Sequence, residues 1–343
     1  TGVGSCYFDS TPAIFITGQV NKHEMKGKRR IRQLGFQETD IVSMAKPITK
    51  LACRANSADE IPQLLNKAFE ISVAGRPGPV LIDIPMNFLL ATIDVNGNRM
   101  PRFVANEAHT NLNPSLLERL MVSIENAKRP LILAGRGIFA SNSIDLLRQL
   151  VSKLHIPVVT SLLAVGSLEY DSHYNVGMIG TYGNRWANIA LSEADLLIVL
   201  GSRMDIRQTG ADTRSFKAHK SIYHVDVEKA EINNRIKRCH PIHMELSRFL
   251  SYLLEYLGDR LIEPRVKWIH YIDSLKMKWP DAREFRSTVG VNPNYLMHQI
   301  SKTRQAAVYV ADVGQNQMWA AQSLEIYGNQ KFITSGGMGA MGC

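Results

Sequence analysis

The sequence predicts an α/β protein built on parallel β-sheets. Short apolar, β-branched runs with glycine or proline borders recur along its 343 residues, and such runs are typical of strands buried on both faces. Segments with apolar residues three and four positions apart separate them, which indicates helices. This alternation favours parallel strands joined by right-handed crossovers. The predicted strands are 12–17, 79–84, 130–134, 157–161, 195–201, 221–227, 307–311 and 331–334.

The same pattern divides the chain into three blocks. The first covers 1–91, and a polar stretch with Gly97 and Pro101 at 92–113 reads as a linker. A complete set of βα units spans 114–245. A helical connector follows at 246–290, in which residues 258–290 show little periodicity. The third block begins at 291 and stops at 343, so we expect the first and last blocks to be incomplete.

The composition supports a globular protein and excludes a disordered one, because 45% of the residues are hydrophobic and 21% are charged. No apolar run approaches the roughly 18 residues of a membrane span, and no signal-peptide pattern is present. We therefore expect no membrane partner. The four scattered cysteines suit a reducing compartment and predict a cytoplasmic protein.

Most of the net charge of +9 comes from one segment, residues 21–33. It contains six lysines and arginines against the single acid Glu24, which accounts for five of the nine charges. A nucleic-acid partner is one interpretation. No aromatic residue interleaves the cations, so we favour a solvated or anion-facing loop and expect no nucleic acid.

Two glycine turns follow predicted strands. Residues 135–140 fit the Gly-x-Gly-x-x-Ala pattern, in which glycines let the backbone approach a pyrophosphate at a helix that we expect to open at Ser141. A plain tight turn is the alternative. The second turn, at 337–342, is followed at once by the end of the chain, so we expect its helix to lie beyond Cys343.

Polar residues follow two further strands, where open parallel sheets bind ligands. Arg203 and Arg207 after the strand at 195–201 could bind an anion or form surface ion pairs, and Asp312 could contact a ligand or cap a helix. Cys239, His240 and His243 suggest a metal corner, but a fourth ligand is missing and we favour an ordinary loop beside Pro241.

At these positions the sequence resembles the thiamine-diphosphate enzymes of the acetolactate synthase (acetohydroxyacid synthase) large-subunit type. The specific pieces are FQETDIV at 36–42, GRPGPVLIDIP at 75–85 and DVGQNQMWAAQ at 312–322. Less specific pieces occur between and after them in the family's order. The resemblance covers essentially the whole chain.

The resemblance implies three α/β domains with three-layer parallel-sheet architecture, in the order pyrimidine-binding, central and diphosphate-binding. It implies decarboxylation of a 2-oxo acid such as pyruvate, followed by carboligation to a second carbonyl, in branched-chain amino acid biosynthesis. Thiamine diphosphate and Mg²⁺ are the implied cofactors, with FAD possible in the central domain. A homodimer or homotetramer and a regulatory subunit are the implied partners.

The resemblance also assigns residues. Phe36, Gln37 and Lys50 would face the substrate and cofactor channel. The catalytic glutamate would precede Thr1 and the magnesium ligands would follow Cys343, so we expect the isolated chain to be inactive. The thiamine diphosphate contacts would be Gln315, Asn316, Gly339, Ala340 and Met341. The FAD contacts would be Arg76, Gly135, Arg136, Gly137, Gly177, Met178, Ile179, Gly180, Arg203, Asp205, Arg207 and Asp226.

Other functions stay open at this point. The chain departs from the family pattern at Met86, Ile179 and Ile206, so a sister enzyme with other 2-oxo acids or acceptors is one alternative. A nucleotide- or flavin-binding oxidoreductase built on the turn at 135–140 is a second, and nicotinamide binding would distinguish it. A non-catalytic relative of the same fold is the third, and it would lack thiamine-dependent turnover.

Overall fold

The computed structural model describes residues 1–94, 113–283, 289–303 and 306–342. The chain forms two compact units, Thr1–Ala108 with Gly337–Ala340, and His109–Gly336 with Met341–Cys343. The predicted linker at 92–113 lies outside the described residues except at its two ends. The division into three functional domains stays a prediction.

The first unit has a small parallel sheet with the strand order β1-β3-β2. Its central strand is completely buried, and Val80, Ile82 and Ile84 pack with Ala68 of the neighbouring helix. The edge strand β1 is partly exposed. The elements are α1 (Gly2–Phe8), β1 (Ala13–Gln19), α2 (Ile41–Ala45), β2 (Leu51–Arg54), α3 (Ile61–Val73), β3 (Pro79–Pro85) and α4 (Met86–Leu89).

The second unit continues the alternation of helices and strands. Its elements are α5 (Pro114–Asn126), β4 (Pro130–Ala134), α6 (Gly137–Ala140), α7 (Ile144–Leu154), β5 (Val158–Thr160), β6 (Asn175–Met178), α8 (Arg185–Glu193), β7 (Leu196–Leu200), α9 (Ile206–Thr209), α10 (Thr213–Lys217), β8 (Ser221–Asp226), β9 (His240–His243), α11 (Leu246–Leu257), α12 (Val266–Lys278), α13 (Pro293–Thr303), β10 (Val308–Val310), α14 (Gln315–Ser323) and β11 (Lys331–Ile333).

Six of these strands form one parallel sheet in the order β6-β5-β4-β7-β8-β9. When these strands are numbered in chain order, this is the 3-2-1-4-5-6 arrangement of dinucleotide-binding folds. In that arrangement the strand order reverses between the first and fourth strands. Here the reversal lies between β4 and β7. Leu131 and Leu133 face one hydrophobic core while Ile132 and Ala134 face another, so the strand is buried on both sides as predicted.

A separate pair of parallel strands, β10 and β11, packs with α13 and α14. One face of this pair is open, because Val308, Val310 and Ile333 are exposed. The prediction of full burial is therefore wrong for β10 and β11, as it is for β1. A short two-stranded sheet has too few covering elements to bury both of its faces.

Three further details correct the sequence analysis. The segment around Pro241 is not a loop, because residues 240–243 form the edge strand β9, where the missing proline N–H is tolerated. Residues 258–290 include α12, whose Trp268, Ile269 and Ile272 are buried. The helix expected at Ser141 begins at Ile144, after the short α6. The strands β2 and β6 were not predicted.

The α/β class with parallel sheets is confirmed by both units. Within the described ranges, none of the helices is both long and apolar enough to cross a membrane.

Candidate functional site

The turns that follow β10 and β11 are tied together by hydrogen bonds. The Asp312 carboxylate accepts hydrogen bonds from the backbone N–H of Val313, at 2.7 Å, and of Gly342, at 2.9 Å. The buried side chain of Gln317 donates to the Thr334 hydroxyl oxygen and to the Ser335 carbonyl, both at 2.6 Å. The turns that follow the two strands are therefore joined by hydrogen bonds, and we call them the braced loops. They lie at the carboxyl ends of the strands, the position at which open α/β sheets bind ligands.

The helix α14 begins between these loops, and the start of the helix is open to solvent. Gln315 and Asn316 are exposed there, and no acidic residue occupies the first turn. The Asn316 amide donates to the Asp312 carbonyl oxygen at 3.1 Å. A side chain at Gly314 would place its Cβ 2.6 Å from Asn316 Oδ1, so the Asn316 side chain would have to shift. The N–H groups of a helix's first turn, together with side-chain amides, suit an anion.

The predicted thiamine diphosphate contacts divide between the two units. Gln315, Asn316 and Met341 belong to the second unit, and the Met341 side chain is 80% exposed. Gly339 and Ala340 belong to the first unit. In that unit the Gly337 N–H donates to the buried Asp9 carboxylate at 2.5 Å. An exposed apolar side chain and an open helix turn fit an amphiphilic ligand with an anionic end.

The predicted channel residues Phe36 and Gln37 follow β1 at its carboxyl end. Phe36 is 85% exposed, and Gln37 adopts a left-handed conformation with φ of 69°. Their loop is anchored by Gln19, whose amide donates to the Thr39 carbonyl at 2.6 Å. An exposed phenyl ring on an anchored loop is available for contact with a ligand or a partner surface.

Gln19 is held in turn by the fully buried carboxylate of Asp83. It accepts hydrogen bonds from Thr17 at 2.9 Å and Gln19 at 3.3 Å, and Arg54 Nε lies 2.6 Å away as its ion-pair partner. This hub ties all three strands of the sheet together at their carboxyl ends. Sequence reasoning did not single out Asp83 for this role.

Lys50 lies apart from Phe36 and Gln37. It precedes β2, at the amino end of the sheet, and its amine donates a hydrogen bond to the Ala74 carbonyl oxygen. Burial lowers the pKa of Lys50 to about 8, because removing water disfavours the charged amine. Lys50 is thus a partly neutral amine near neutral pH, separated from the other two predicted channel residues.

The basic segment 21–33 is held by an acidic residue outside it. The Glu38 carboxylate accepts hydrogen bonds from the N–H groups of Leu34, at 2.8 Å, and Lys26, at 2.7 Å. The first of these bonds is the main cause of the lowered pKa of Glu38. Lys28, Arg29, Arg30 and Arg32 remain exposed on the surface. The loop is therefore an ordered surface segment with four exposed cations, which is compatible with the anion-facing interpretation.

The glycine turn after β4 contacts the turn after β7, at the point where the strand order of the large sheet reverses. The Gly137 N–H donates to the Gly201 carbonyl at 3.0 Å. A Cβ at Gly135 would lie 2.2 Å from that carbonyl oxygen, and a Cβ at Gly137 would lie 2.6 Å from Gly201 Cα. Close packing of two backbones therefore explains both glycines without a ligand.

The other residues assigned to FAD lie around the same edge of the sheet. Asp205 caps α9 by accepting from the N–H of Arg207 at 2.8 Å, and Arg203 lies 3.8 Å from the Asp205 carboxylate. Thr181 N–H donates to the Arg207 carbonyl at 2.8 Å, which brings the β6 turn alongside. The members of this edge are Gly135, Arg136, Gly137, Gly177, Met178, Ile179, Gly180, Arg203, Asp205, Arg207 and Asp226.

Three of the assigned residues have other settings. Met178 and Ile179 have buried side chains, so only their backbone could meet a ligand. Arg76 belongs to the first unit, where its Nε donates to Ser10 at 2.9 Å, while the rest of the set belongs to the second. The guanidinium groups of Arg136, Arg203 and Arg207 supply positive charge at the sheet edge, which fits a nucleotide diphosphate.

Two residues at these edges were missed. Gln317 shares its buried helix face with Ala320 and Ala321, and that spacing was the available signal. The fully buried His224 donates its Nε2 hydrogen to the Ser202 carbonyl at 2.9 Å, which steadies the turn after β7. Burial lowers the pKa of His224 and favours the neutral ring. Among the described residues, no three His, Cys, Asp or Glu side chains are grouped to hold a metal.

Two family descriptions match the chain in this order. Residues 117–253 match "Thiamine pyrophosphate enzyme, central domain" and residues 312–343 match "Thiamine pyrophosphate enzyme, C-terminal TPP binding domain". The second match contains the braced loops and the open turn of α14. Thiamine pyrophosphate is another name for thiamine diphosphate.

Curated relatives match along the whole chain. The acetolactate synthase large subunit of Lactococcus lactis is 35% identical over 346 residues, covering 100% of this chain and 58% of the relative. The Escherichia coli acetolactate synthase isozyme 2 large subunit is 32% identical over 346 residues, with 100% and 59% covered. A probable acetolactate synthase large subunit of Methanococcus aeolicus is 31% identical over 361 residues, with 100% and 59% covered. The chain thus spans less than two thirds of their length.

Proposed function

We propose that the chain belongs to the thiamine pyrophosphate enzymes, and that its protein decarboxylates a 2-oxo acid such as pyruvate and joins the product to a second carbonyl compound. The relatives named acetolactate synthase support this reaction type. The three departures at Met86, Ile179 and Ile206 leave a different 2-oxo acid or acceptor as the second candidate.

One observation carries the proposal. The residues that match the thiamine-binding C-terminal domain are those that form the braced loops after β10 and β11. A bound cofactor needs both an anion-accepting turn and an apolar contact, and the open turn of α14 and the exposed Met341 side chain supply groups of these two kinds.

We assign roles to the chain's own residues on this basis. Gln315, Asn316 and the N–H groups of the first turn of α14 would hold the diphosphate end of the cofactor. Gly339, Ala340 and Met341 would contact the thiazolium ring, with Met341 as an apolar wedge. When bound, thiamine diphosphate would supply a nucleophilic carbon and a cationic thiazolium ring that takes up the electron pair left by decarboxylation.

The channel residues act on the substrate. Phe36 and Gln37 would face the substrate and cofactor channel, and a hydrogen bond from Gln19 to Thr39 anchors their loop. The exposed cations of segment 21–33 attract anionic 2-oxo acids. The position of Lys50, at the amino end of the sheet with its amine bonded to the Ala74 carbonyl, does not favour such a role. The magnesium ligands are proposed to lie outside this chain.

FAD is a second proposed ligand, held at the carboxyl edge of the six-stranded sheet. The cations Arg136, Arg203 and Arg207 support the diphosphate of such a nucleotide, with Arg76 as a further contact. The remaining proposed contacts are Gly135, Gly137, Gly177, Met178, Ile179, Gly180, Asp205 and Asp226. A visible flavin absorption spectrum in the purified protein would support this proposal, and a colourless protein with no flavin affinity would overturn it.

The proposed assembly is a homodimer or homotetramer, with a regulatory subunit as a further partner. The relatives carry the words "large subunit" in their names. Light scattering of the full-length protein tests the oligomer, and a monomer at micromolar concentration would contradict it.

Product analysis separates the proposed reaction from its alternatives. The full-length protein is incubated with pyruvate, thiamine diphosphate and Mg²⁺, and the organic product is identified by mass spectrometry. Acetolactate supports the proposal, whereas another carboligation product supports the sister enzyme. Substrate-linked reduction of a nicotinamide would favour the oxidoreductase instead, which now rests only on a turn that packing explains.

A further inference from the structure

Gln317 is a buried polar side chain that directly follows the proposed diphosphate contacts Gln315 and Asn316 in the chain without being one of them. It is 2% exposed, although it sits in the first turn of a helix whose neighbouring residues Gln315 and Asn316 are exposed. Burying a side-chain amide is unfavourable unless its hydrogen bonds are made. The hydrogen bonds of the Gln317 amide therefore have to offset the cost of burying it.

The Gln317 amide nitrogen joins three separate stretches of backbone. It donates to Thr334 Oγ1 and to the Ser335 carbonyl, each at 2.6 Å. The Thr334 hydroxyl in turn donates to the Ala311 carbonyl at the end of β10, at 2.7 Å. Helix α14, the turn after β11 and the end of β10 are thus linked through one side chain.

The linked stretches are those that carry the ligand-facing groups of the second unit. Ala311 precedes Asp312, which accepts from the Gly342 N–H, and Ser335 leads into the glycine turn. A change in spacing between α14 and residues 334–335 would displace the first turn of α14 relative to the turn that follows β11. The N–H groups of a helix terminus bind an anion well only when they are directed at it together.

We propose that Gln317 is a positioning residue that sets the spacing between the first turn of α14 and the turn after β11, and thereby the affinity for the diphosphate end of thiamine diphosphate. The inference rests on the proposed function. It assigns Gln317 no contact with the cofactor and no part in the chemical step.

The test replaces Gln317 by methionine, which keeps the unbranched length and removes the donor. The full-length protein is stripped of cofactor and titrated with thiamine diphosphate and Mg²⁺, using intrinsic tryptophan fluorescence, to which Trp319 on α14 contributes, as the signal. We expect the Gln317→Met dissociation constant to rise roughly tenfold, the effect of losing buried hydrogen bonds that hold a binding turn. At saturating cofactor, kcat and the KM for the 2-oxo acid should stay within about twofold of wild type.

Gln322 provides a matched control on the same helix. Its amide also donates at 2.6 Å, to the Tyr182 carbonyl, and its oxygen accepts from Asn294 at 2.8 Å. These partners lie outside the braced loops. Gln322→Met should therefore leave cofactor affinity unchanged, even where it lowers the melting temperature.

Thr334→Val is the second variant, because it removes one acceptor and keeps the side-chain volume. It should weaken cofactor binding in the same direction by a smaller factor. Wild-type affinity in both Gln317→Met and Thr334→Val overturns the positioning role while leaving the proposed function intact. An equal loss in Gln322→Met overturns it too, since a general structural effect then suffices. Absence of cofactor binding in the wild type overturns both proposals.

Discussion

His298 on α13 lies in a buried ionic network that makes stability depend on pH. Its Nδ1 lies 2.9 Å from a Glu325 oxygen and its Nε2 lies 3.1 Å from an Asp281 oxygen, so the protonated ring can donate to both. Ser323 donates to Asp281 at 2.5 Å, Tyr327 donates to Glu325 at 3.3 Å, and Lys302 lies 3.4 Å from Glu325. The Tyr170 ring packs edge-on against the imidazole.

The pKa shifts of this network fix the sign of the pH dependence. The hydrogen bond to Asp281, above all, raises the pKa of His298 from its ordinary 6.5. The stabilisation is therefore complete below about pH 6.5 and is lost as the pH rises through the higher folded pKa. Burial alone would raise the pKa of Asp281, but hydrogen bonds from His298 and Ser323 lower it below 3.8. That contribution is lost in acid.

We expect His298→Gln to lower the free energy of unfolding by about 2 kcal/mol at pH 6. Each bond of the imidazolium to a carboxylate contributes roughly 1.5–3 kcal/mol, and glutamine can keep one uncharged substitute. The difference between variant and wild type should shrink above neutral pH, where the wild-type ring loses its proton. Urea unfolding at pH 5, 6, 8 and 9 measures it through the shift in midpoint.

His270→Gln on α12 is the control, because that histidine is exposed. It should change the unfolding free energy by less than about 0.5 kcal/mol at every pH. A His298→Gln effect that is the same at pH 5 and pH 9, or that grows at high pH, would refute the reasoning. NMR titration of the His298 ring offers a direct check, since its midpoint must exceed 6.5.

Three further predictions follow from contacts elsewhere. Gly137→Ala should destabilise the protein by about 3 kcal/mol, because the new Cβ would lie 2.6 Å from Gly201 Cα, and calorimetry should show a lower melting temperature. Asp83→Asn should cost about 3–5 kcal/mol in urea unfolding, because it leaves Arg54 facing a neutral partner at a buried position. Amine labelling of Lys50, followed by mass spectrometry, should show a midpoint near pH 8, since burial lowers its pKa to about 8.

Each of these predictions has a simple check. Gly18→Ala, where a Cβ meets nothing within 4 Å, should be close to neutral, and equal losses at Gly18 and Gly137 would contradict the packing argument. Thr17→Val removes one hydrogen bond, from a neutral donor, to the Asp83 carboxylate. It should lower the free energy of unfolding less than Asp83→Asn does. A labelling midpoint for Lys50 near 10 would show that its amine is hydrated rather than half-buried.

Periodicity was informative where a segment is buried uniformly. The strands at Pro130–Ala134 and Leu196–Leu200 are central in the large sheet and apolar throughout, so their sequences alone predicted them. The edge strand at His240–His243 escaped prediction because only one of its residues is buried and a proline interrupts it. The short β2 is half-buried and includes Arg54, whose charge is paired with Asp83, 29 residues away in the chain.

The candidate site shows the same division. The motif at 312–322 identified Gln315 and Asn316, and the structure leaves both exposed at a helix start. Gln317 looked like a third polar residue of that motif, and its partners at Thr334 and Ser335 emerge only from the fold. Gly135 and Gly137 illustrate the reverse, because a glycine pattern typical of nucleotide binding is also required by contact with Gly201.

Cofactor-dependent release of CO₂ from pyruvate by the full-length protein tests the central claim most directly. We predict that ¹⁴CO₂ is released from carboxyl-labelled pyruvate only when thiamine diphosphate and Mg²⁺ are both present. Release that is independent of thiamine diphosphate, or no release from pyruvate or any other 2-oxo acid with both cofactors supplied, would contradict the proposed function.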